Sequence, residues 1–265
     1  MTDNVTWERF TPAQRLARFA VYLGAVSLFV VSLKTVEIIP EFLYDAPTQL
    51  HDLFSRMWPV DFAAYNSEGI HTALVETLNI ATLGTFLAII MAIPVGLMAA
   101  KNITKIPVLN WFGTLILVSS RTVNSLVWAI LFVAIFGPGA LAGTIAIAFR
   151  SIGFCGKLMA EALEEVNEGP IEALKAAGAP WPSILIKGYW PQVAPAFWGI
   201  SLFRWDINVR ESSVIGLVGA GGIGVALDTS LNLFRWQQVS LILLCIFTVV
   251  IVAEVFVTKI RQKII

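Results

Sequence analysis

The chain has 265 residues, 57% of them hydrophobic and only 14% charged, with a mean hydropathy of +0.77. A water-soluble domain carries about a quarter charged residues, so this composition excludes one and specifies an all-α integral membrane protein. Lys+Arg and Asp+Glu balance at 18 each, giving no sign of a nucleic-acid partner, and two cysteines with two histidines supply neither a disulfide framework nor a metal centre.

Arg9, Arg15 and Arg18 stand close to a first apolar span, Leu16 to Ile39. The run is long for a signal peptide and lacks a small-x-small cleavage site, so a retained helix is expected. Residues 40–71 hold Glu41, Asp45, Asp52, Asp61 and Glu68 against Arg56 alone, which places them outside by the positive-inside rule. Phe42, Leu53, Phe54, Trp58 and Phe62 predict a short helix there, lying on the membrane surface. A second span runs from Leu74 to Ala100, with Pro94 predicting a kink. Lys101 and Lys105 mark an inner loop. The third span, Trp111 to Phe136, carries Arg121 and Asn124; Gly137-Pro138-Gly139 then turns the chain into a fourth span, Ala140 to Met159, which carries Arg150.

A polar segment, 160–192, separates this from the fifth span, Val193 to Val218. A flexible glycine loop, Gly219 to Gly224, and a partly amphipathic stretch lead to the sixth span, Val239 to Val257, which ends in Lys259, Arg261 and Lys263. Six spans put both termini on the inner side together with the polar segment. The chain is expected to form one transmembrane domain over 1–265, with a helix and external segment in 1–70 and a core in 71–265.

The polar segment organises the rest. Glu172, Ala173, Leu174, Lys175, Ala176 and Ala177 favour a helix, and Gly178 predicts its C-terminal stop. Ala-Pro-Trp-Pro forces a turn, and a second short amphipathic run from Ser183 ends at Pro191. A short helix, a glycine break and a second short segment outside the bilayer suit a rigid knob that docks on another protein.

The fifth span holds Arg204, Asp206, Arg210 and Glu211, each of which costs about 2.5–3.5 kcal/mol at mid-bilayer unless paired or wetted. Asp206 and Arg210 are four apart on one helical face, and Arg210 and Glu211 adjoin. Two readings follow: an ion-pair network that fixes helix packing, or the wall of a translocation path. Asn208, Ser212 and Ser213 add hydrogen-bonding groups to this helix, and Arg121, Asn124 and Arg150 are candidates for the same lining. Clustered arginines favour an anion. The GAGGIG run matches a dinucleotide fingerprint at Gly219, Gly221 and Gly224, but it follows a membrane helix and no βαβ unit surrounds it. It is either a gate whose N–H groups help receive an anion or a plain connection.

Glu172-Ala173, Gly178 six residues after the Glu, and Pro191 thirteen residues after the Gly resemble the EAA loop of ATP-binding-cassette (ABC) importer permeases. Leu174 stands where a second Ala is usual, and Gly188 and Trp190 replace aliphatics. NVRESSVIGLVGAGGIG from Asn208, VWAILFV in the third span and PQVAP from Pro191 are similar to the permeases of phosphonate importers, from about residue 70 to the C-terminus. TVNSL at Thr122 to Leu126 departs from the Ala-Ile, Asn or Pro, Glu pattern expected there.

The resemblance implies the type I importer permease fold with a methionine-permease-like core, in a bacterial inner membrane with both termini cytoplasmic. It implies a homodimer, two cytoplasmic ATPases that bind ATP and Mg, and a periplasmic or lipid-anchored substrate-binding protein. No cofactor and no enzymatic activity are expected in this chain. Glu172, Ala173, Leu174, Gly178 and Pro191 would couple to the ATPase. Arg121, Asn124, Arg150, Arg204, Asp206, Asn208, Arg210, Glu211 and Ser212 would line or brace the path. Gly219, Gly221, Gly222 and Gly224 would gate the outer mouth or meet the binding protein. The cargo implied is phosphonate, phosphite or hypophosphite. A permease for another small solute, such as an amino acid or quaternary amine, and an ATP-independent carrier are the competing readings.

Overall fold

The computed structural model describes residues 10–36 and 39–264. Arg9, and positions 37–38 of the expected first span, lie outside the described residues. The chain divides into two compact units, Met1–Ser55 and Arg56–Ile265.

In the first unit, α1 (Pro12–Thr35) starts where Gln14 accepts from the Thr11 N–H at 3.2 Å. None of its 24 residues is buried by protein. An apolar helix exposed on all sides satisfies its own backbone and leaves its side chains to lipid. The next helix, α2 (Pro40–Met57), begins in this unit. It is amphipathic and, at 18 residues, longer than the short helix expected; it includes Phe42, Leu53 and Phe54 and ends before Trp58 and Phe62.

The second unit opens with α3 (Ala64–Ser67) and the long α4 (Ile70–Ala99). Then follow α5 (Pro107–Thr122), α6 (Ser125–Phe136), α7 (Ala140–Glu164), α8 (Glu168–Ala176), α9 (Trp181–Ile184), α10 (Trp190–Ile215), α11 (Ile223–Asn232) and α12 (Trp236–Ile264). The core is the α4–α7 pair, against which α5, α6 and α10 pack, while α12 covers α10 and α11. Small residues let the central pair approach. A Cβ on Gly84 would sit 2.8 Å from Ile147 Cγ2, and one on Gly96 3.1 Å from the Gly156 carbonyl. Pro94 lies inside α4, which continues to Ala99.

Among the described residues four helices, α1, α4, α7 and α12, are long and apolar enough to cross a membrane, and six spans result if two bent pairs each count as one. Three expectations need correction. The third span is not one helix: α5 and α6 meet at 94°. Val123 is extended there, and Asn124 caps α6 by accepting the Leu126 N–H at 3.1 Å, so local capping wins over continuous hydropathy.

The second short run of the polar segment is likewise not separated from the fifth span. Leu185–Tyr189 forms a π turn that carries α9 directly into α10, and Pro191 sits in the first turn of α10, where its missing N–H costs nothing.

Finally, the glycine stretch 219–224 is packed rather than loose. A Cβ on Gly221 would lie 2.7 Å from the Ala140 nitrogen, one on Gly222 2.6 Å from Thr77 Oγ1, and one on Gly224 2.3 Å from the Ser213 carbonyl. The Gly139 N–H donates to the Gly219 carbonyl and the Ile223 N–H to Thr77 Oγ1, at 2.9 and 2.7 Å.

Candidate functional site

Polar contacts at one end of the second unit set the depth of three arginines. The Lys101 N–H donates to Glu164 at 2.9 Å, the Asn102 amide to the Leu163 carbonyl, and the Asn167 N–H to Gln192 at 3.1 Å. The end of α7 and the starts of α5 and α10 therefore lie together. From there, Arg121 is fourteen residues from Pro107, Arg150 fourteen from Glu164, and Arg204 fourteen from Trp190. At 1.5 Å per residue, each guanidinium-bearing backbone position is about 21 Å from that end. The three converge on a cavity of about 290 Å³ lined by Arg121, Thr122, Arg150, Phe154 and Arg204.

Glu211 holds two of these arginines. Its Oε1 pairs with Arg150, and its Oε2 accepts from Arg204 Nη2 at 3.3 Å. Arg204 is buried, its guanidinium lies 5.3 Å from the Phe154 ring, and its Nε donates to Ser151 Oγ at 2.9 Å. Ser151 donates in turn to Asn208 at 3.1 Å, whose amide donates to Thr85 at 2.8 Å. One polar chain thus ties α10 to α7 and α4, and every link replaces water that the membrane interior lacks. Arg121 is exposed and, among the described residues, makes no ion pair.

A second charge cluster occupies another face of α10. Arg210 bonds to buried Asp206 one turn earlier and lies 3.7 Å from Glu254 of α12. These groups are absent from the arginine cavity. Asn124 acts as a helix cap, and buried Ser212 donates back to the Val209 carbonyl of its own helix at 2.8 Å. Of the nine residues expected along a path, the cavity therefore gathers Arg121, Arg150 and Arg204, with Glu211 and Asn208 behind them.

The Glu172 segment is built as a rigid projection. Asn167 caps α8 by accepting the Gly169 N–H at 3.0 Å, and Ile171 is its buried anchor. Glu172 and Ala173 are exposed and Leu174 half-buried. At the other end the Gly178 N–H reaches the Lys175 carbonyl and the Ala179 N–H the Leu174 carbonyl, both at 3.0 Å. This is the two-bond glycine cap, and it requires the positive φ of 71° that Gly178 adopts. A Cβ on Gly188 would meet Leu174 Cδ1 at 3.2 Å. The two departures at 174 and 188 are thus complementary, one side chain enlarged where the facing one is deleted. Gln192 donates to the Asn167 and Gly188 carbonyls at 3.4 and 2.8 Å, which joins α8 to the start of α10.

At the opposite end a cavity of about 500 Å³ is bordered by Gly219, Gly221 and Gly222 together with Glu68, Glu76 and Arg235. Gly224 is buried within the first turn of α11 and does not border it. Sequence reasoning passed over Glu76, although a carboxylate inside the second apolar run was a visible signal. It also passed over Thr85, Ser151 and Phe154, and it noted Thr122 only as part of the TVNSL departure. Ser151, next to Arg150, and Thr122, next to Arg121, had a local cue.

The family model described as the binding-protein-dependent transport system inner membrane component matches residues 92–265. The chain is 38% identical over 226 residues to the phosphite transport system permease protein PtxC of Stutzerimonas stutzeri, covering 83% of this chain and 82% of that protein. It is 36% identical over 251 residues to the phosphate-import permease protein PhnE of Mycolicibacterium smegmatis, covering 95% of this chain and 47% of that protein. The chain thus spans about half the length of that second relative.

Among solved structures, an inward-facing MetNI methionine ABC transporter has a chain with TM-score 0.64 and 22% identity, over 74% of this chain and 96% of that one. That likeness is one of fold, and the fold is the expected type I importer permease architecture. The chain belongs to the family of inner membrane components of binding-protein-dependent transport systems.

Proposed function

We propose that this chain is the membrane-spanning subunit of an ABC importer for a small phosphorus oxyanion: a phosphonate, phosphite or hypophosphite. The observation that carries the reading is the meeting of Arg121, Arg150 and Arg204 at one depth around a single cavity. Uncompensated guanidinium charge within a membrane is costly, and it lowers the barrier for an anion. Relatives named for phosphite transport and phosphate import support the same chemistry.

In this proposal two copies of the chain enclose the path, and both termini face the cytoplasm. Two partner ATPases bind ATP and Mg, and a substrate-binding protein delivers the ion to the outer mouth near Gly219–Gly222. The exposed face of α8, with Glu172 and Ala173, seats in a groove of the ATPase. When the ATPases close on ATP, α8 moves. Its links through Gln192 and through Leu174 against Gly188 carry that motion into α10, which bears Arg204 and Glu211. The cavity then faces outward, takes the anion, and returns inward after hydrolysis.

The test is uptake by cells that express the chain with its ATPase and binding protein, offered phosphonate, phosphite, hypophosphite and phosphate in turn. Gly178→Asp is the uncoupled control. A Cβ at Gly178 meets nothing within 4 Å, and Asp tolerates positive φ better than most residues, so the strain stays at the exposed end of α8, and the amount of folded G178D protein in the membrane is measured beside its uptake. The expected result is uptake of at least one phosphorus anion that drops more than about tenfold in G178D, the effect of breaking a required docking contact. Uptake of none by a well-expressed complex overturns the cargo, and unchanged uptake by G178D overturns the coupling role of α8.

A further inference from the structure

The geometry points to a dianion-binding site at the arginine cavity, in which Glu211 is a tethered stand-in that the transported ion must replace. This rests on the proposed function and adds the charge state of the ligand and the means of its release. Arg121, Arg150 and Arg204 bring three guanidinium charges to the cavity, and Glu211, paired with the last two, stays tethered beside them even when displaced from their donors, so the site as a whole holds two positive charges in excess. A dianion neutralises that excess, whereas a monoanion leaves one uncompensated charge at a depth where each is expensive.

The donors are also arranged for an ion with several oxygens. Among the described residues, buried Arg150 Nε has no hydrogen-bond partner and Arg121 makes no ion pair. Glu211 spends one oxygen on each of the other two arginines and so satisfies them only in part. A tetrahedral oxyanion offers more oxygens than a carboxylate and reaches guanidinium edges in forked pairs. The Arg204 guanidinium also lies near the Phe154 ring and donates from Nε to Ser151, so this donor keeps partners when its carboxylate partner leaves.

Glu211 then has two tasks. Without ligand it keeps Arg150 and Arg204 paired, which lowers the cost of an empty site. With ligand it competes for the same donors, which keeps binding weak enough for release. Return of the carboxylate to the two arginines expels the ion.

The test uses the full chain with its ATPase in lipid nanodiscs at pH 8. The probes are phosphite, a dianion there, and hypophosphite, which carries a single charge. Binding is read by titration calorimetry and by broadening of the ligand's phosphorus resonance. Glu211→Gln keeps the side chain's shape and drops its charge, and is expected to tighten phosphite binding about tenfold while transport by the complex falls. Arg121→Gln, at an exposed position, is expected to remove the wild-type preference for phosphite over hypophosphite.

Phosphite binding by E211Q no tighter than wild type, or an undiminished preference in R121Q, overturns the inference. Should E211Q not give folded protein, R121Q decides alone. A wild-type complex that accumulates no phosphorus anion at all overturns the proposed function itself. One that accumulates phosphite while E211Q binds it no more tightly overturns this inference and leaves the proposed function standing.

Discussion

Two faces of α10 carry charge, and they solve the same membrane problem differently. On one face Arg204 and Glu211 reach across to Arg150 of α7, and a run of hydroxyl and amide groups continues the network to Thr85 of α4. On the other face Arg210 pairs with Asp206 within its own helix and stands near Glu254 of α12. The first cluster has excess positive charge and borders a cavity; the second holds two carboxylates to one guanidinium and borders none of that cavity. Charge inside an apolar segment therefore identifies a helix that has polar business, and the partners on neighbouring helices decide which face conducts it.

The sharpest way to break this comparison is at Arg204, whose side chain is only 3% exposed. Arg204→Leu removes a buried partner of Glu211 and of Ser151 Oγ. Breaking a buried pair from one side costs about 3–5 kcal/mol. The expected outcome is a melting temperature lower by roughly 10 °C or more for the purified protein in detergent, with loss of transport. An R204L protein as stable as wild type would show that the network does not hold α10 against α7.

A smaller effect is expected from Arg150→Gln. Its side chain is 27% exposed, and Glu211 keeps Arg204 as a partner when it is replaced. The stability loss is that of one charge-assisted hydrogen bond, about 1.5–3 kcal/mol before screening by the part-open cavity reduces it. Uptake should nevertheless fall more than about tenfold, because the lost charge is one of three that the ion meets. Stability and transport are thus expected to separate at Arg150 and to fall together at Arg204. Parallel losses at both positions would reduce the first cluster to a packing device like the second.

How much of this could be read from the chain follows from the range of each interaction. The helical membrane class, the amphipathic α2 and the Gly178 cap rest on composition or on residues within one turn, and those were legible. So was the Asp206–Arg210 pair, four residues apart on one helix. Glu211 was read beside its neighbour Arg210, yet its partners are Arg204, two turns back, and Arg150 on another helix. No spacing rule connects Arg150 to Glu211.

The break at Val123–Asn124 was legible in part, since Asn124-Ser125 is a helix-start signal, but unbroken hydropathy on both sides masked it. The glycine stretch was misread for a different reason. Its composition suggests freedom, while Ala140, Thr77 and Ser213 leave no room for side chains, and that crowding exists only in the folded unit.

The smallest effect belongs to the second face, and there the comparison is tested by what should not happen. Asp206→Asn keeps the side chain's shape, removes its charge and leaves Arg210 within 3.7 Å of Glu254. Arg210 is 47% exposed, so its pairing is screened and worth about 1 kcal/mol or less. Among the described residues Asp206 Oδ1 has no hydrogen-bond partner, so an amide there can turn its oxygen toward the guanidinium and leave its NH₂ at that unpaired position. Uptake within about twofold of wild type is the expected outcome, because a change of this size on a face that does not border the cavity has no route to the ion. A collapse of uptake in D206N without loss of folded protein would mean that both faces of α10 line the path, and that the division between them is a property of this one conformation.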